Sequence, residues 1–146
     1  MTTTAPTLNP AIIGQVEKHH TAILTRALAG TSLDEKQWIT LNQALAAGAP
    51  VERAEHIARV AGMTQWTPAS VEAALVALVS SGQVAELPGI RIEVTDSGRA
   101  LVAQIRSETG AIVERAYGTV SAEERAIAAR VLVTITAGLA DELAHV

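Results

Sequence analysis

Apolar residues recur at helical spacing through most of this chain and change to a period of two only briefly. Val71, Ala74, Leu75 and Leu78 form one stripe, entered through Thr67-Pro68 as N-cap and first-turn proline and closed by Gly82. Just upstream, Val51, Ala54, Ile57, Ala58 and Ala61 predict a helix that opens at Pro50-Val51 and stops at Gly62 as a left-handed cap. Met63-Thr64-Gln65-Trp66 is the expected turn between the two. Val84-Ala85-Glu86-Leu87 and Ile90-Arg91-Ile92-Glu93-Val94 then read as strands joined tightly at Pro88-Gly89. Thr95 is the expected N-cap of the helix that follows. Two helices, a turn and a hairpin in this order make a helix-turn-helix with a wing, a unit that mostly serves to bind nucleic acid.

The flanks are helical too. The first helix starts at Asn9-Pro10, places Ile12, Ile13, Val16, Ile23, Leu24 and Ala27 on one face, and ends near Gly30. Ser32-Leu33-Asp34-Glu35 reads as a capping box with Ser32 at the N-cap. The second helix buries Leu33, Trp38, Leu41 and Leu45 and stops at Gly48. Past the wing, Leu101, Val102, Ile105, Ile112 and Val113 stripe a long helix, with Gly110 as a soft spot where a bend is expected. Ser121-Ala122-Glu123-Glu124 is a second capping box, and Ile127, Val131, Leu132, Ile135, Leu139 and Leu143 form a regular seam on the last helix. These terminal helices carry more apolar surface than one small winged helix can cover, which predicts a homodimer.

Leu75-x-x-Leu78-x-x-x-Gly82-x-Val84, a hairpin, and then Val94-Thr95-x-x-Gly98-x-x-Leu101 resemble the MarR-type winged-helix transcription regulators. Gln37-Trp38-x-x-Leu41-x-x-x-Leu45 is similar to that family's second helix, and the resemblance spans about residues 10–143. It implies a mainly α fold with a small β-hairpin wing, an α+β winged helix-turn-helix, and a helical dimerisation arm built from both termini. Residues 1–8 are then a disordered tail and 9–146 a single domain, with the winged helix at about 32–98 and dimerisation helices at about 9–29 and 96–146. It also implies double-stranded DNA as partner, read as a palindromic site by two copies of the 68–81 helix about one DNA turn apart.

Composition narrows the picture. At 146 residues, 49% of them hydrophobic, the chain has length for one domain and a real core. Phe is absent and aromatics are 2%, so the core is made of Leu, Ile, Val and Ala. No cysteine occurs, which excludes disulfides, thiolate metal sites and thiol redox sensing. The opening Met-Thr-Thr-Thr-Ala-Pro-Thr has neither a basic region nor an apolar core and is not expected to be a signal peptide. No apolar run approaches membrane-spanning length, so a cytoplasmic protein without membrane contact is expected.

Charge complicates the DNA reading. From 50 to 99, four basic residues (Arg53, Arg59, Arg91, Arg99) face six acidic ones (Glu52, Glu55, Glu72, Glu86, Glu93, Asp96), a net −2 within a chain of net −4. Phosphate neutralisation supplies most of the affinity of a DNA reader, so weak and salt-sensitive contacts are expected. The expected contact residues are Arg53, Arg59, Gln65, Thr67, Ala69, Ser70, Ala73 and Arg91. No Lys or Arg lies between Gly62 and Arg91, and the wing lacks the Asp-x-Arg common at the tip in the resembled family. The alternative is a winged-helix protein-interaction module that has lost DNA, its Ala/Val-rich helix face contacting a protein partner.

Enzymatic chemistry finds no support. There is no phosphate-cradling glycine loop and no G-x-S-x-G elbow, and Asp34-Glu35 and Glu123-Glu124 fit helix first turns, where carboxylates serve the helix dipole. His19 and His20 are adjacent on a helix and point about 100° apart, so they cannot share one ion. No metal or other cofactor is expected, and the histidines, His56 and His145 included, read as partly exposed or interfacial. The resemblance does imply a small-molecule effector wedged beside the dimer arm, with His19, His20 and Trp38 as candidate wall residues. Core packing is the plainer role for Trp38.

Overall fold

The computed structural model describes residues 4–48 and 50–145; the first three of the eight residues expected to form a tail lie outside it. Asn9 opens the first helix as expected. Its side chain accepts from the Ile12 amide at 3.0 Å, and α1 runs Pro10–Leu28. Gly30 follows in the left-handed region, at φ 85°.

The second helix begins later than its Ser32 start. Asp34 is the N-cap of α2 (Glu35–Ala46): its carboxylate accepts from the Gln37 amide at 2.8 Å, and the Gln37 side chain accepts from the Asp34 amide at 3.0 Å. The capping box is therefore Asp34/Gln37, not Ser32/Glu35. The cause is Leu33, which sits in the core just outside the helix, with Trp38 buried one turn in. These are the two positions of a hydrophobic staple, and only a start at Asp34 puts them there.

Val51–Glu52 corrects a second expectation. These residues do not open a helix; they form β1, antiparallel to β3 (Arg91–Val94), with Val51 opposite Ile92 and Glu52 opposite Arg91. β3 also pairs with β2 (Val84–Leu87), so the sheet has three strands in the order β1-β3-β2. Glu52 then doubles as N-cap of α3 (Arg53–Thr64), its carboxylate accepting from Ala54 and Glu55 amides at 3.1 and 2.9 Å. α3 runs through Gly62 and ends at Gln65, which takes the left-handed position at φ 62°. The Gln65 side-chain amide donates to the Gly62 carbonyl at 2.7 Å, which compensates a non-glycine cap. The buried face of α3 is His56, Ile57, Val60 and Ala61, while Ala54 and Ala58 are exposed.

The helix α4 (Pro68–Ser80) matches its pattern residue for residue. Thr67 is the N-cap, Pro68 opens the first turn, and Val71, Ala74, Leu75 and Leu78 are buried. In the hairpin, Ile90 belongs to the turn rather than the strand; it has φ 58° and is 72% exposed. Thr95 caps α5 (Asp96–Tyr117), accepting from the Gly98 amide at 3.1 Å. α5 continues through Gly110. Ser121 and Glu124 form the expected capping box of α6 (Ala122–Ala144).

Contacts divide the chain into two compact units, one up to Thr109 and one from Gly110. The first holds the core: Leu41, Val60, Val71, Leu75, Leu78, Ile92, Val102 and Ile105 are fully buried, between α2, α3, α4, the sheet and the start of α5. Arg106 ties α5 to α2 by donating to the Asn42 side chain at 2.8 Å. The second unit contains α6, on which every described residue is exposed, including Ile127 at 47%, Leu139 at 61% and Leu143 at 60%. Among the described residues, no helix is long and apolar enough to cross a membrane.

Candidate nucleic-acid interface

The two faces of α4 have opposite fates. Val71, Leu75 and Leu78 are at 0% exposure, whereas Ala69, Glu72, Ala73, Val76 and Ser80 are exposed, Val76 to 54%. The amino end of α4 is fixed by its own polar residues. Thr67 Oγ1 accepts from the Ser70 amide at 3.2 Å, and the Ser70 hydroxyl donates back to the Thr67 carbonyl at 3.0 Å. The hydroxyls of Thr67 and Ser70 thus serve the cap first. Ala69 and Ala73 stand one turn apart on the open side.

The basic residues are spoken for unequally. Arg53, at the start of α3, donates to the Glu72 carboxylate at 3.2 Å, so its charge is matched by an acid on α4 itself. Arg99 sits 3.7 Å from Asp96. Arg59 donates to the Gln43 carbonyl at 3.2 Å, and Arg91 to the Pro88 carbonyl at 3.3 Å. Carbonyl partners hold a guanidinium in place without cancelling its charge, so Arg59 and Arg91 keep theirs for an anion. Gln65, in the turn, spends its amide on the Gly62 carbonyl.

A further cation lies beside α4 that the sequence reading left out. Asp34, Lys36 and Gln37, in the first turn of α2, line an open depression with Ser70, Ala73 and Ala74. Lys36 Nζ lies 5.6 Å from the centroid of the Trp66 ring, a cation–π contact that steers it toward the turn. Lys36 escaped notice because it precedes the helix pair in sequence; the packing of α2 on α4 brings it there. Trp66 itself is half-buried against the core.

Under this surface His56 joins α2 to α3. It is 1% exposed, so the expectation of a partly exposed or interfacial histidine fails for it. Its Nε2 is 3.0 Å from the Thr40 carbonyl, which can only accept, and its Nδ1 is 2.9 Å from Arg59 Nη2, which can only donate. Both bonds form only if the ring is neutral with the proton on Nε2. Burial pushes the imidazole below its ordinary pKa; the Thr40 bond raises it, and the charge of Arg59 lowers it further. The Thr40 hydroxyl is buried and has no hydrogen-bond partner among the described residues.

The candidate effector residues differ in their burial. Trp38 is 7% exposed and part of the core. His19 is exposed on α1, its Nδ1 2.6 Å from the Gln15 carbonyl, and His20 is half-buried. Among the described residues, no group of three or more histidines and carboxylates is placed to hold a metal ion.

No protein-family model matches the sequence, and no curated protein matches it. Solved structures do match. A MarR-family transcriptional regulator from Silicibacter pomeroyi has a TM-score of 0.74 at 18% identity, with 88% of each chain covered. A MarR-family protein of Mycobacterium tuberculosis in complex with DNA has a TM-score of 0.66 at 20% identity, over 89% of this chain and 98% of that one. The same protein in complex with p-aminosalicylic acid has a TM-score of 0.65 at 19% identity, over 89% of this chain and 99% of that one. At these identities the likeness establishes the fold: six helices and a small antiparallel sheet arranged as a MarR-type winged helix.

Proposed function

We propose, from the fold this chain shares with MarR-family transcriptional regulators, that it is a homodimeric DNA-binding regulator that responds to a small molecule. Each copy presents α4 to the major groove of a palindromic duplex. One observation carries the proposal: the outer face of α4 is open to solvent along its length, beside a hairpin wing, while its inner face is fully buried. A helix so mounted is a probe.

Ala69, Ala73 and Ser70 meet base edges, with Gln65 and Thr67 at the entry of the helix. Arg59 and Arg91 supply phosphate contacts, Lys36 adds a third, and Arg53 contributes once Glu72 releases it. So few unmatched cations make the complex weak and steeply salt-dependent. The uncovered seam of α6 supports the pairing of two copies, since an exposed apolar helix face of this length is costly in water. The complex of the mycobacterial neighbour with p-aminosalicylic acid supports an effector for this chain too. His19 and His20 on α1 are its candidate contacts, with Trp38 as a third candidate buried in the core.

Fluorescence anisotropy against the duplex flanking the chain's own coding region, at low salt, tests this. Saturable binding tighter than to random duplex, fading as salt rises, is the expected result. Binding no tighter than to random duplex overturns it. That outcome would favour a protein-docking role for the same face, the reading to which exposed Val76 and Ile90 on an acidic unit lend weight.

A further inference from the structure

We infer that α4 selects its duplex by apolar contact with thymine methyl groups, and so prefers A·T-rich major groove. This rests on the DNA reading above and adds the chemistry of the base edge it takes.

The inference follows from which atoms near the open face of α4 are free. Guanine is read by a two-pronged cation and adenine by a two-pronged amide. The guanidinium nearest α4 is that of Arg53, held at 3.2 Å by Glu72. The nearest side-chain amide in the turn, that of Gln65, donates to the Gly62 carbonyl. The Ser70 hydroxyl donates to the Thr67 carbonyl, and the Thr67 hydroxyl accepts from the Ser70 amide. These polar groups have internal partners, and Lys36, whose ammonium lies 5.6 Å from the Trp66 ring centroid, is a point charge without the two-pronged fork of a guanidinium. Beside Glu72, paired with Arg53, and Ser80 at the far end, what α4 leaves outward is methyl: Ala69 and Ala73, one turn apart, and Val76 at 54% exposure. The thymine 5-methyl is the apolar group on a major-groove edge that such a surface complements; cytosine has only hydrogen there.

Replacing thymine by uracil deletes that methyl and leaves base pairing, the hydrogen-bonding edges and the phosphates unchanged. The test is anisotropy of the full chain at low salt on alternating dA-dT, dA-dU, dG-dC and dG-(5-methyl-dC) duplexes of equal length. Binding to dA-dT is expected to exceed binding to dA-dU by about fourfold per methyl group buried. The methylated dG-dC duplex is expected to bind more tightly than the unmethylated one. Val76→Ser, checked by circular dichroism for an unchanged melt, is expected to shrink the dA-dT to dA-dU ratio and leave the salt dependence as it was. Equal binding to dA-dT and dA-dU overturns the inference while the DNA reading stands. A ratio that survives Ala69→Ser, Ala73→Ser and Val76→Ser together also overturns it, because the preference would then come from duplex stiffness. Failure to bind any of the four duplexes sinks both readings together.

Discussion

Arg53 Nη1 lies 3.2 Å from Glu72 Oε1, and this pair ties the first helix of the helix-turn-helix to the open flank of the second. The residues are 19 apart in sequence. The pair occupies a cation at the start of α3, beside α4.

Glu72→Gln is therefore expected to strengthen DNA binding. It releases Arg53 and removes one negative charge from the probe helix. The slope of log affinity against log salt should steepen by about one, the signature of one added phosphate contact. Stability should change by less than about 1 kcal/mol, since both side chains reach solvent. Anisotropy across a salt series measures the slope; an unchanged slope would mean that Arg53 reaches no phosphate.

His56 makes the fold sensitive to acid. Its folded pKa lies below the ordinary histidine value, so between the two the unfolded chain binds more protons than the folded one. The stability it contributes is complete above about pH 6.5 and is lost as pH falls from there through the folded pKa. Urea midpoints should drop over that window. His56→Gln should flatten the curve, because an amide can donate to Thr40 and accept from Arg59 without titrating. A wild-type curve no steeper than that of the variant would contradict this.

Gly98 admits no side chain. A Cβ there would run into the Gln83 carbonyl oxygen and approach Val94 Cγ1 at 2.8 Å. The Thr95 amide also bonds the Gln83 carbonyl, at 3.0 Å, so that oxygen is pinned and cannot yield. Gly98→Ala should cost about 2 kcal/mol, in the range of overpacked cores, read as a lower denaturant midpoint with the slope unchanged.

The seam on α6 predicts its own disruption. Ile135 and Leu139, at 36% and 61% exposure, are apolar side chains left in part open to solvent. Ile135→Glu with Leu139→Glu should convert the proposed dimer to a monomer in sedimentation equilibrium, with the helical signal of the winged unit retained. A mass that does not change would remove α6 from the interface.

How much of this could be read from residue order differed by element. α4 was legible throughout, because Thr67-Pro68 marks its start, Gly82 its stop, and four apolar residues its inner face. The seam of α6 and its Ser121 cap were equally plain. β1 was not: two residues show no periodicity, and Val51–Glu52 is a strand only because β3 lies beside it. Gln65 hid the end of α3, since Gly62 is the better left-handed residue and only a side-chain bond back to its carbonyl lets Gln65 take that position. His56 was misread because polarity suggests exposure, and its two partners come from a neighbouring helix and from Arg59. At the candidate interface, the open methyl face was visible in the pattern, whereas Lys36 and the Arg53–Glu72 pair depend on how helices pack. Spacing along one element cannot reveal either.

The short β1 has a mechanical consequence. It joins the hairpin to the residue that caps α3, and the Arg53 amide adds a bond to the Ile90 carbonyl at the hairpin turn, 3.0 Å away. The wing is thus stitched to the root of α3 along the first half of its inner strand and at the turn before it, not hung from α4 alone. Any signal that tilts the hairpin must carry the root of α3 with it, and Arg53 sits at that root. Grip on a backbone and attitude of the wing would then change in one stroke.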